Sequence, residues 1–202
     1  MSKVVLSVDP GFGGTGICMF VDGKLYKFNN IKCKHEGNER YVEVASKCAK
    51  HAMAWISDLL VASQGSKIKS FDIVIESPHA MGGVKGNASL GRGDVFKVAK
   101  LAGAIGVTAY LYVQTYLDDS AEMSSTSIRL HYPEVRTWKG QLSKETTQRR
   151  VLRDVKYAVE YIKDSKYKLK EEYPDHVFDA AGIGLWFIKE TEYLNENIKE
   201  VK

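Results

Sequence analysis

The sequence predicts a mixed α/β domain in which three strands precede alternating helices and strands. Two observations support this class: apolar stretches of strand length near the N-terminus are separated by turn residues, and later apolar residues recur at the three- and four-residue steps of helices. The predicted order is β-β-β-α-β-α-β-α-α, which is typical of a mixed α/β fold. The chain has 202 residues, 44% of them hydrophobic, and we expect residues 1–190 to form one domain and residues 191–202 a polar tail.

The N-terminal residues carry the signals of an antiparallel meander. Residues 3–8 are largely apolar and end at Asp9, which precedes a proline and a glycine-rich turn. Residues 17–28 read as two further strands joined by Asp22-Gly23, and an Asp-Gly pair between strands is a strong signal for a tight hairpin. We therefore expect three consecutive antiparallel strands.

Helical spacing and a further compact strand follow the meander. Apolar residues between 42 and 59 recur at helical steps, and residues 71–75 form a compact apolar stretch. Glycine-rich residues 79–93 predict a flexible loop, and residues 94–106 predict a helix with small residues on one side. The remaining predicted elements are a strand within 128–138, a basic helix over 144–162 and a final helix over 175–189.

The net charge of +4 is distributed unevenly along the chain. Residues 136–170 carry a net charge of +7 and residues 80–106 carry +3, which leaves −6 for the remainder. This asymmetry indicates a polyanionic partner. On charge alone, solvated helix faces are the simpler explanation.

Cysteine usage and hydropathy indicate the setting in which the protein acts. Cys18, Cys33 and Cys48 are too far apart in sequence for a CxxC metal site, so we expect free thiols in a reducing compartment. No apolar run approaches ~20 residues, so we expect no membrane span, and the N-terminus lacks a cleavable signal pattern. These features predict a cytoplasmic protein, including the cytoplasm of an infected host.

Acidic residues stand where predicted strands stop and where the last predicted helix starts. Asp9 follows the first strand and Glu76 follows the fourth. In the last helix, Asp179 shares a face with His176 and Asp175, which precede it by three and four positions. Carboxylates grouped in this way suit Mg²⁺, and two such ions about 4 Å apart stabilise the attacking and leaving oxygens in phosphodiester hydrolysis.

Each of these residues also has a purely structural interpretation. An aspartate before a proline at a strand end is a common turn former, Asp175 is a good helix N-cap, and His176 suits an exposed position. The prediction of a metal site therefore depends on the joint placement of the acids. Carboxylates placed this close together would repel one another unless a cation were bound.

Three motifs around these acids resemble the sequence motifs of RuvC-type Holliday junction resolvases. Their order and spacing extend the resemblance over most of the chain, residues 3–189. A fourth stretch, Val135-Arg136-Thr137-Trp138-Lys139 followed by Lys144, resembles the phage branch of that family. The three motifs are Val8-Asp9-Pro10-Gly11 with Thr15-Gly16, Ile75-Glu76, and His176-Val177-Phe178-Asp179-Ala180-Ala181.

The resemblance implies an RNase H-like α/β fold with a mixed five-stranded sheet flanked by helices. It also implies a Mg²⁺-dependent endonuclease that cuts four-way junctions or other branched DNA as a homodimer, with two metal ions in each active site and Mn²⁺ as a substitute. The implied catalytic residues are Asp9, Glu76, His176 and Asp179, with Lys144 near the scissile phosphate. The implied metal ligands are Asp9, Glu76 and Asp179, with His176 or Asp175 in the fourth position.

Basic residues on both sides of the acids in sequence are candidates for DNA contact. Glycines in the loop at 82–93 would let the backbone approach phosphates closely, whereas solvated helix faces are the competing explanation for the charged helices. Trp138 and Trp186 are expected in the core rather than stacked on bases. The candidates are Lys85 and Arg92 in the glycine-rich loop, Lys97 and Lys100 on the next helix, Lys139, and Arg149, Arg150 and Arg153 on the basic helix.

Two other function classes fit parts of the sequence. The turn from Gly11 to Gly16 also resembles the phosphate loop of actin-like ATPases and sugar kinases, although such proteins need two lobes and no second glycine–threonine loop follows. A junction-binding protein without catalysis would share the basic segments but would have no use for the acids. Within the nuclease class, cleavage of RNA–DNA hybrids stays open.

Overall fold

The strands of the protein form one mixed sheet. The computed structural model describes residues 2–11, 13–32, 37–62, 67–78, 94–119, 126–140, 142–158 and 175–200. The strands in these residues are β1 (Ser2–Asp9), β2 (Thr15–Val21), β3 (Lys24–Ile31), β4 (Ile68–Ile75) and β5 (Ser127–His131). They are arranged in the order β3-β2-β1-β4-β5. The predicted mixed five-stranded α/β sheet is therefore confirmed.

The first three strands form the predicted meander. β1 pairs antiparallel with β2, and β2 pairs antiparallel with β3. The turn between β2 and β3 has positive φ at both central residues, 49° at Asp22 and 79° at Gly23. Two positive φ angles define the type I′ turn, whose twist matches that of the flanking strands. The Asp-Gly signal in the sequence thus predicted the hairpin correctly.

Parallel pairing brings two of the candidate acids to one edge of the sheet. β1 and β4 are parallel, with Val8 opposite Ile75, and the Glu76 amide donates a hydrogen bond to the Val8 carbonyl at 3.0 Å. Parallel neighbours end on the same side. Asp9 and Glu76 therefore leave adjacent strands side by side.

Helices cover both faces of the sheet. Side chains alternate along β1, so Val4, Leu6 and Val8 face one helical layer while Val5 faces the other. Helices α1 and α2 form the first layer, and α3, α4 and α5 form the second. The helices are α1 (Gly37–Ala62), α2 (Asp94–Asp118), α3 (Val135–Trp138), α4 (Lys144–Ala158) and α5 (Asp175–Glu200).

Helix α2 is longer than its sequence pattern predicts. The expected end at residue 106 is wrong, because buried positions continue at four-residue steps from Leu101 through Ile105 to Ala109 and beyond. Gly106 does not end the helix. A Cβ atom there would lie 2.1 Å from the hydroxyl oxygen of Tyr132, so this glycine allows the close approach of a neighbouring segment.

Other helix bounds also differ from the predictions. Helix α5 continues from the expected end at residue 189 to Glu200, because no glycine or proline follows Gly184 to stop it. Helix α3 occupies the end of the 128–138 stretch, since β5 stops at His131 before Pro133. The predicted extension of the basic helix to residue 162 lies outside the described residues.

Helix α2 also combines an inner core face with an outer apolar face. Among the described residues, Val95–Asp118 is the one segment long and apolar enough to cross a membrane by length and composition, so the expectation of no such run does not hold there. Its inner side chains, such as Leu101 and Ile105, belong to the core, and core helices satisfy the same test. Only 28% of its apolar window is buried, so much of the helix surface stays exposed.

Candidate active site

Asp9 lies at the centre of the candidate site. It ends β1 with only 6% of its surface exposed, and its Oδ2 atom is 2.6 Å from Nδ1 of His176. Burial raises the pKa of the Asp9 carboxyl and the charge of Asp179 adds to this, while the hydrogen bond and charge of His176 act in the opposite direction. Asp9 is thus a buried acid held by one basic partner.

His176 reaches Asp9 because the glycine-rich turn leaves room for it. A Cβ atom at Gly11 would lie 2.3 Å from Cε1 of the His176 ring, and one at Gly16 would lie 1.9 Å from the His176 carbonyl oxygen. The turn therefore accommodates both the imidazole and the backbone at the start of α5. The hydrogen bond to Asp9 raises the pKa of His176, which favours the charged imidazolium.

Glu76 is the second acid of the site. Burial, reinforced by the charges of Asp9 and Asp179, raises its pKa to about 7. The indole Nε1–H of Trp138 donates a hydrogen bond to Glu76 Oε2 at 2.8 Å, which partly offsets that rise. A carboxyl with this pKa would release its proton to solvent when a cation binds nearby.

Asp179 lies in the first turns of α5 and completes an acidic cluster with Asp9 and Glu76. Lys139, the residue that caps α3, donates from Nζ to Asp179 Oδ1 at 3.3 Å. The charge of Asp179 raises the pKa values of both Asp9 and Glu76, so the three carboxylates act on one another electrostatically. The structure therefore brings these predicted acids together from β1, the end of β4 and α5.

Asp175 stands apart from the acidic cluster. Its side chain is exposed and accepts a hydrogen bond from Nε2 of Gln148 on α4 at 3.1 Å. Its charge contributes to the raised pKa of His176. Of the two candidates for the fourth position, His176 is the one that contacts Asp9.

The acidic cluster has the chemistry of a divalent-cation site without a preformed ligand geometry. Among the described residues, no three His, Cys, Asp or Glu side chains are arranged around a common metal position. Instead, a proton donor on His176, Trp138 or Lys139 engages each acid. Asp9 is buried, Glu76 and Asp179 are partly buried, and the charge of Asp179 raises the pKa values of the other two acids. Carboxylates grouped in this way would gain from a shared cation, so the donor set fits Mg²⁺ or Mn²⁺.

Several candidate DNA-contacting residues lie on exposed surfaces, and others fall outside the described side chains. Thr147 and Val151 of α4 are buried, whereas Arg149, Arg150 and Arg153 are exposed and form its basic face. The Arg153 guanidinium also contacts the neighbouring Asp154 at 2.9 Å. Among the remaining candidates, Lys97 and Lys100 are exposed on α2, and Lys139 lies in the site itself. The side chain of Lys144 is not described, and Lys85 and Arg92 lie outside the described residues.

Sequence reasoning did not identify the two residues that hold the acids from the side of α3. Trp138 was expected in the core, and it is buried there, but its N–H also meets Glu76. Lys139 was predicted to contact DNA, and in the structure its ammonium group pairs with Asp179. A buried indole N–H usually finds a hydrogen-bond acceptor. The residues around Trp138 in the sequence do not indicate that this acceptor is Glu76, which is 62 residues away.

Comparison with known proteins agrees with this arrangement at the level of the fold. No family model and no curated protein sequence matches the chain. A structure of Thermus thermophilus RuvC in complex with a Holliday junction substrate is 17% identical, with a TM-score of 0.56, and the match covers 95% of this chain and 96% of that one. A second Thermus thermophilus RuvC structure is 14% identical, with a TM-score of 0.49 and coverage of 94% and 96%. The chain therefore has a RuvC-like fold of the RNase H-like type, as its motifs implied.

Proposed function

We propose that this protein is a divalent-metal-dependent endonuclease that hydrolyses phosphodiester bonds of four-way junctions or other branched DNA. One observation carries the proposal: β1, β4 and α5 bring Asp9, Glu76 and Asp179 into one electrostatically coupled cluster at an edge of the sheet. The RuvC structure with the same fold is bound to a Holliday junction substrate. That likeness supports the substrate class.

The acidic cluster would hold the metal through carboxylate oxygens, with His176 beside it. Bound Mg²⁺, for which Mn²⁺ would substitute, would supply an activated water and stabilise charge on the scissile phosphate. We propose two ions per site, as the resemblance implies. His176 fixes the orientation of Asp9, while the Lys139 ammonium neutralises part of the charge of Asp179.

The basic surface beside the site suits a DNA backbone. Gln148 of helix α4 donates a hydrogen bond to Asp175, so α4 lies beside the first turn of α5, the helix that carries His176 and Asp179. Exposed arginines bind phosphates without reading sequence. We assign the basic face of α4 and the α2 lysines to junction binding, together with the loop and α4 lysines predicted from the sequence.

We also propose that the protein acts as a homodimer through the exposed side of α2. Phe96 and Val107 are 62% and 56% exposed, and Leu111 continues the same side of the helix. A Cβ atom at Gly103, between them, would meet nothing within 4 Å, so the backbone is open to close approach. Exposed apolar side chains grouped on one side of a helix often mark an interface, and Lys100 lies on the same side among them. A second copy would supply a second site for the opposite strand.

The ATP-binding alternative loses its main support. The glycine-rich turn that resembles a phosphate loop is packed against His176, since Cβ atoms at Gly11 and Gly16 would collide with that residue. At Gly11 and Gly16, the space beside the turn is therefore occupied by His176. We retain hydrolysis of ATP only as an outcome to be measured.

The proposed function is tested with labelled four-way junction, linear duplex, RNA–DNA hybrid and ATP, each with and without Mg²⁺. We expect cleavage of the junction only with Mg²⁺, leaving 5′-phosphate and 3′-hydroxyl ends. Asp9→Asn should abolish cleavage, whereas Asp58→Asn, at an exposed surface pair with Lys27, should leave it unchanged. Equal cleavage by Asp9→Asn, or ATP hydrolysis without any nuclease activity, would contradict the proposal.

A further inference from the structure

Trp138 makes a directed contact with one of the acids. Its indole nitrogen donates to Glu76 Oε2 at 2.8 Å, and the side chain is only 9% exposed. An indole has a single N–H donor, so this contact uses its whole hydrogen-bonding capacity. The contact engages Oε2 of Glu76 and does not involve Oε1.

The ring of Trp138 packs against Gly182 of α5 and belongs to the same core cluster as Val151 of α4. A Cβ atom at Gly182 of α5 would lie 2.8 Å from Trp138 Cζ3 and 3.3 Å from Cγ2 of Val151 on α4. The absence of a side chain at residue 182 therefore lets the indole lie directly on α5. Because packing fixes the ring plane, it also fixes the direction of the N–H.

Helix α3 is itself attached to the end of β4, where Glu76 lies. The Ser77 amide donates to the Pro133 carbonyl at 2.8 Å, and Ser77 forms an isolated parallel bridge with Glu134. Next to Trp138, Lys139 Nζ lies 5.3 Å from the indole centroid and reaches Asp179. Two consecutive residues thus hold acids from two different elements.

We propose that Trp138 is a positioning residue for Glu76. The indole N–H of Trp138 holds Oε2 of Glu76 and so orients the carboxylate toward Asp9 and Asp179. Since this role presupposes that Glu76 acts as proposed above, its test must separate the two. The alternative is that Glu76 only accepts the hydrogen bond that the buried indole N–H requires and has no role in binding metal. In that case removal of the N–H would affect stability alone.

The first experiment compares Trp138→Phe, which keeps a buried ring but removes the donor, with Trp186→Phe, a partly buried tryptophan of α5 outside the site. Isothermal titration with Mn²⁺ alone measures metal affinity, and single-turnover assays separate the cleavage rate from junction affinity. We expect about 10–100-fold weaker Mn²⁺ binding and a slower cleavage step in Trp138→Phe, as for other residues that orient metal ligands. Junction affinity and the Trp186→Phe variant should stay at wild-type values.

A second variant keeps the test decisive if Trp138→Phe folds poorly. Site-specific replacement of Trp138 by benzothienylalanine preserves the shape of the ring and lacks only the N–H, and it should show the same weaker binding and slower cleavage. The chain has three tryptophans, so three indole N–H resonances are expected in NMR spectra. Paramagnetic Mn²⁺ should broaden that of Trp138 before those of Trp55 and Trp186.

Three outcomes separate this role from the proposed function. Unchanged Mn²⁺ affinity and cleavage rate in the isostere would overturn the positioning role while leaving the nuclease intact. Weaker Mn²⁺ binding in the isostere of a protein that cuts no junction would support the positioning role and overturn the proposed function. A wild-type protein that binds no Mn²⁺ overturns both.

Discussion

His176 and Asp9 are joined by a 2.6 Å hydrogen bond although 167 residues separate them in the chain. The contact ties the first helical turn of α5 to the end of β1, and the glycine-rich turn is shaped around it. The same contact places Asp179, one turn further along α5, near Glu76. Much of the geometry of the acidic cluster therefore depends on how closely α5 approaches the turn.

Gly16 should be intolerant of any side chain. A Cβ atom there would lie 1.9 Å from the His176 carbonyl oxygen, which is backbone and cannot rotate away. We expect Gly16→Ala to lower the free energy of unfolding by about 1–3 kcal/mol, measured by urea denaturation. Gly13→Ala is the matched control in the same turn, since its nearest contact would be 3.9 Å away. Equal stability of the two variants would contradict this packing.

Asp72 should make folding stability depend on acid pH. Although burial raises its pKa, hydrogen bonds from His131 and Arg129 outweigh that effect and hold the pKa below its usual range. A carboxyl whose pKa is lowered by folding stabilises the protein above its unfolded-state pKa, and this stability is lost as the pH falls through the folded-state pKa. The loss should therefore occur below about pH 4.

The check is a comparison of wild type with Asp72→Asn by urea denaturation at pH 7 and at pH 3. The variant should be less stable at pH 7 by about 1.5–3 kcal/mol, the usual contribution of hydrogen bonds to a charged group. The difference should shrink at pH 3. A constant difference at both pH values would show that the charge of Asp72 is not responsible.

The basic face of α4 should contribute to the salt dependence of junction binding. Replacing Arg149, Arg150 and Arg153 together by Gln should reduce the slope of log K against log salt by about 0.9 for each DNA phosphate that these arginines neutralise. Fluorescence anisotropy of a labelled junction over a salt series measures this slope. The control replaces Lys24, Lys67 and Lys69 by Gln, three exposed lysines at the opposite ends of the strands, near the start of β1. An equal change in both variants would mean that binding follows net charge alone.

The exposed side of α2 should be required for dimer formation. Phe96→Glu combined with Val107→Glu introduces two charges on this surface, so the mass in solution should fall from about twice 22.6 kDa to that of one chain. Light scattering after size exclusion measures it. Val42→Glu and Val61→Glu, at exposed positions of α1, should leave the mass unchanged. A wild type that is monomeric at micromolar concentration would contradict the proposed dimer.

The sequence was most informative where local patterns decide the structure. Apolar stretches of strand length predicted the sheet, helical spacing predicted most helices, and the Asp-Gly pair predicted the tight hairpin. It was less informative where tertiary contacts decide. Gly106 looks like a helix end but provides space for Tyr132, and Trp138 looks like a core residue but also meets Glu76. Such roles depend on partners that are distant in the chain.

The central claim is that the acidic cluster is a metal-dependent nuclease centre, and the rate of junction cleavage by Glu76→Gln tests it most directly. Gln keeps the size of Glu76 and an acceptor for Trp138 but lacks the negative charge. The account predicts Mg²⁺-dependent cleavage of a labelled four-way junction by wild type, and a cleavage rate at least about 100-fold lower in Glu76→Gln at unchanged junction affinity. Cleavage by Glu76→Gln at the wild-type rate would contradict it.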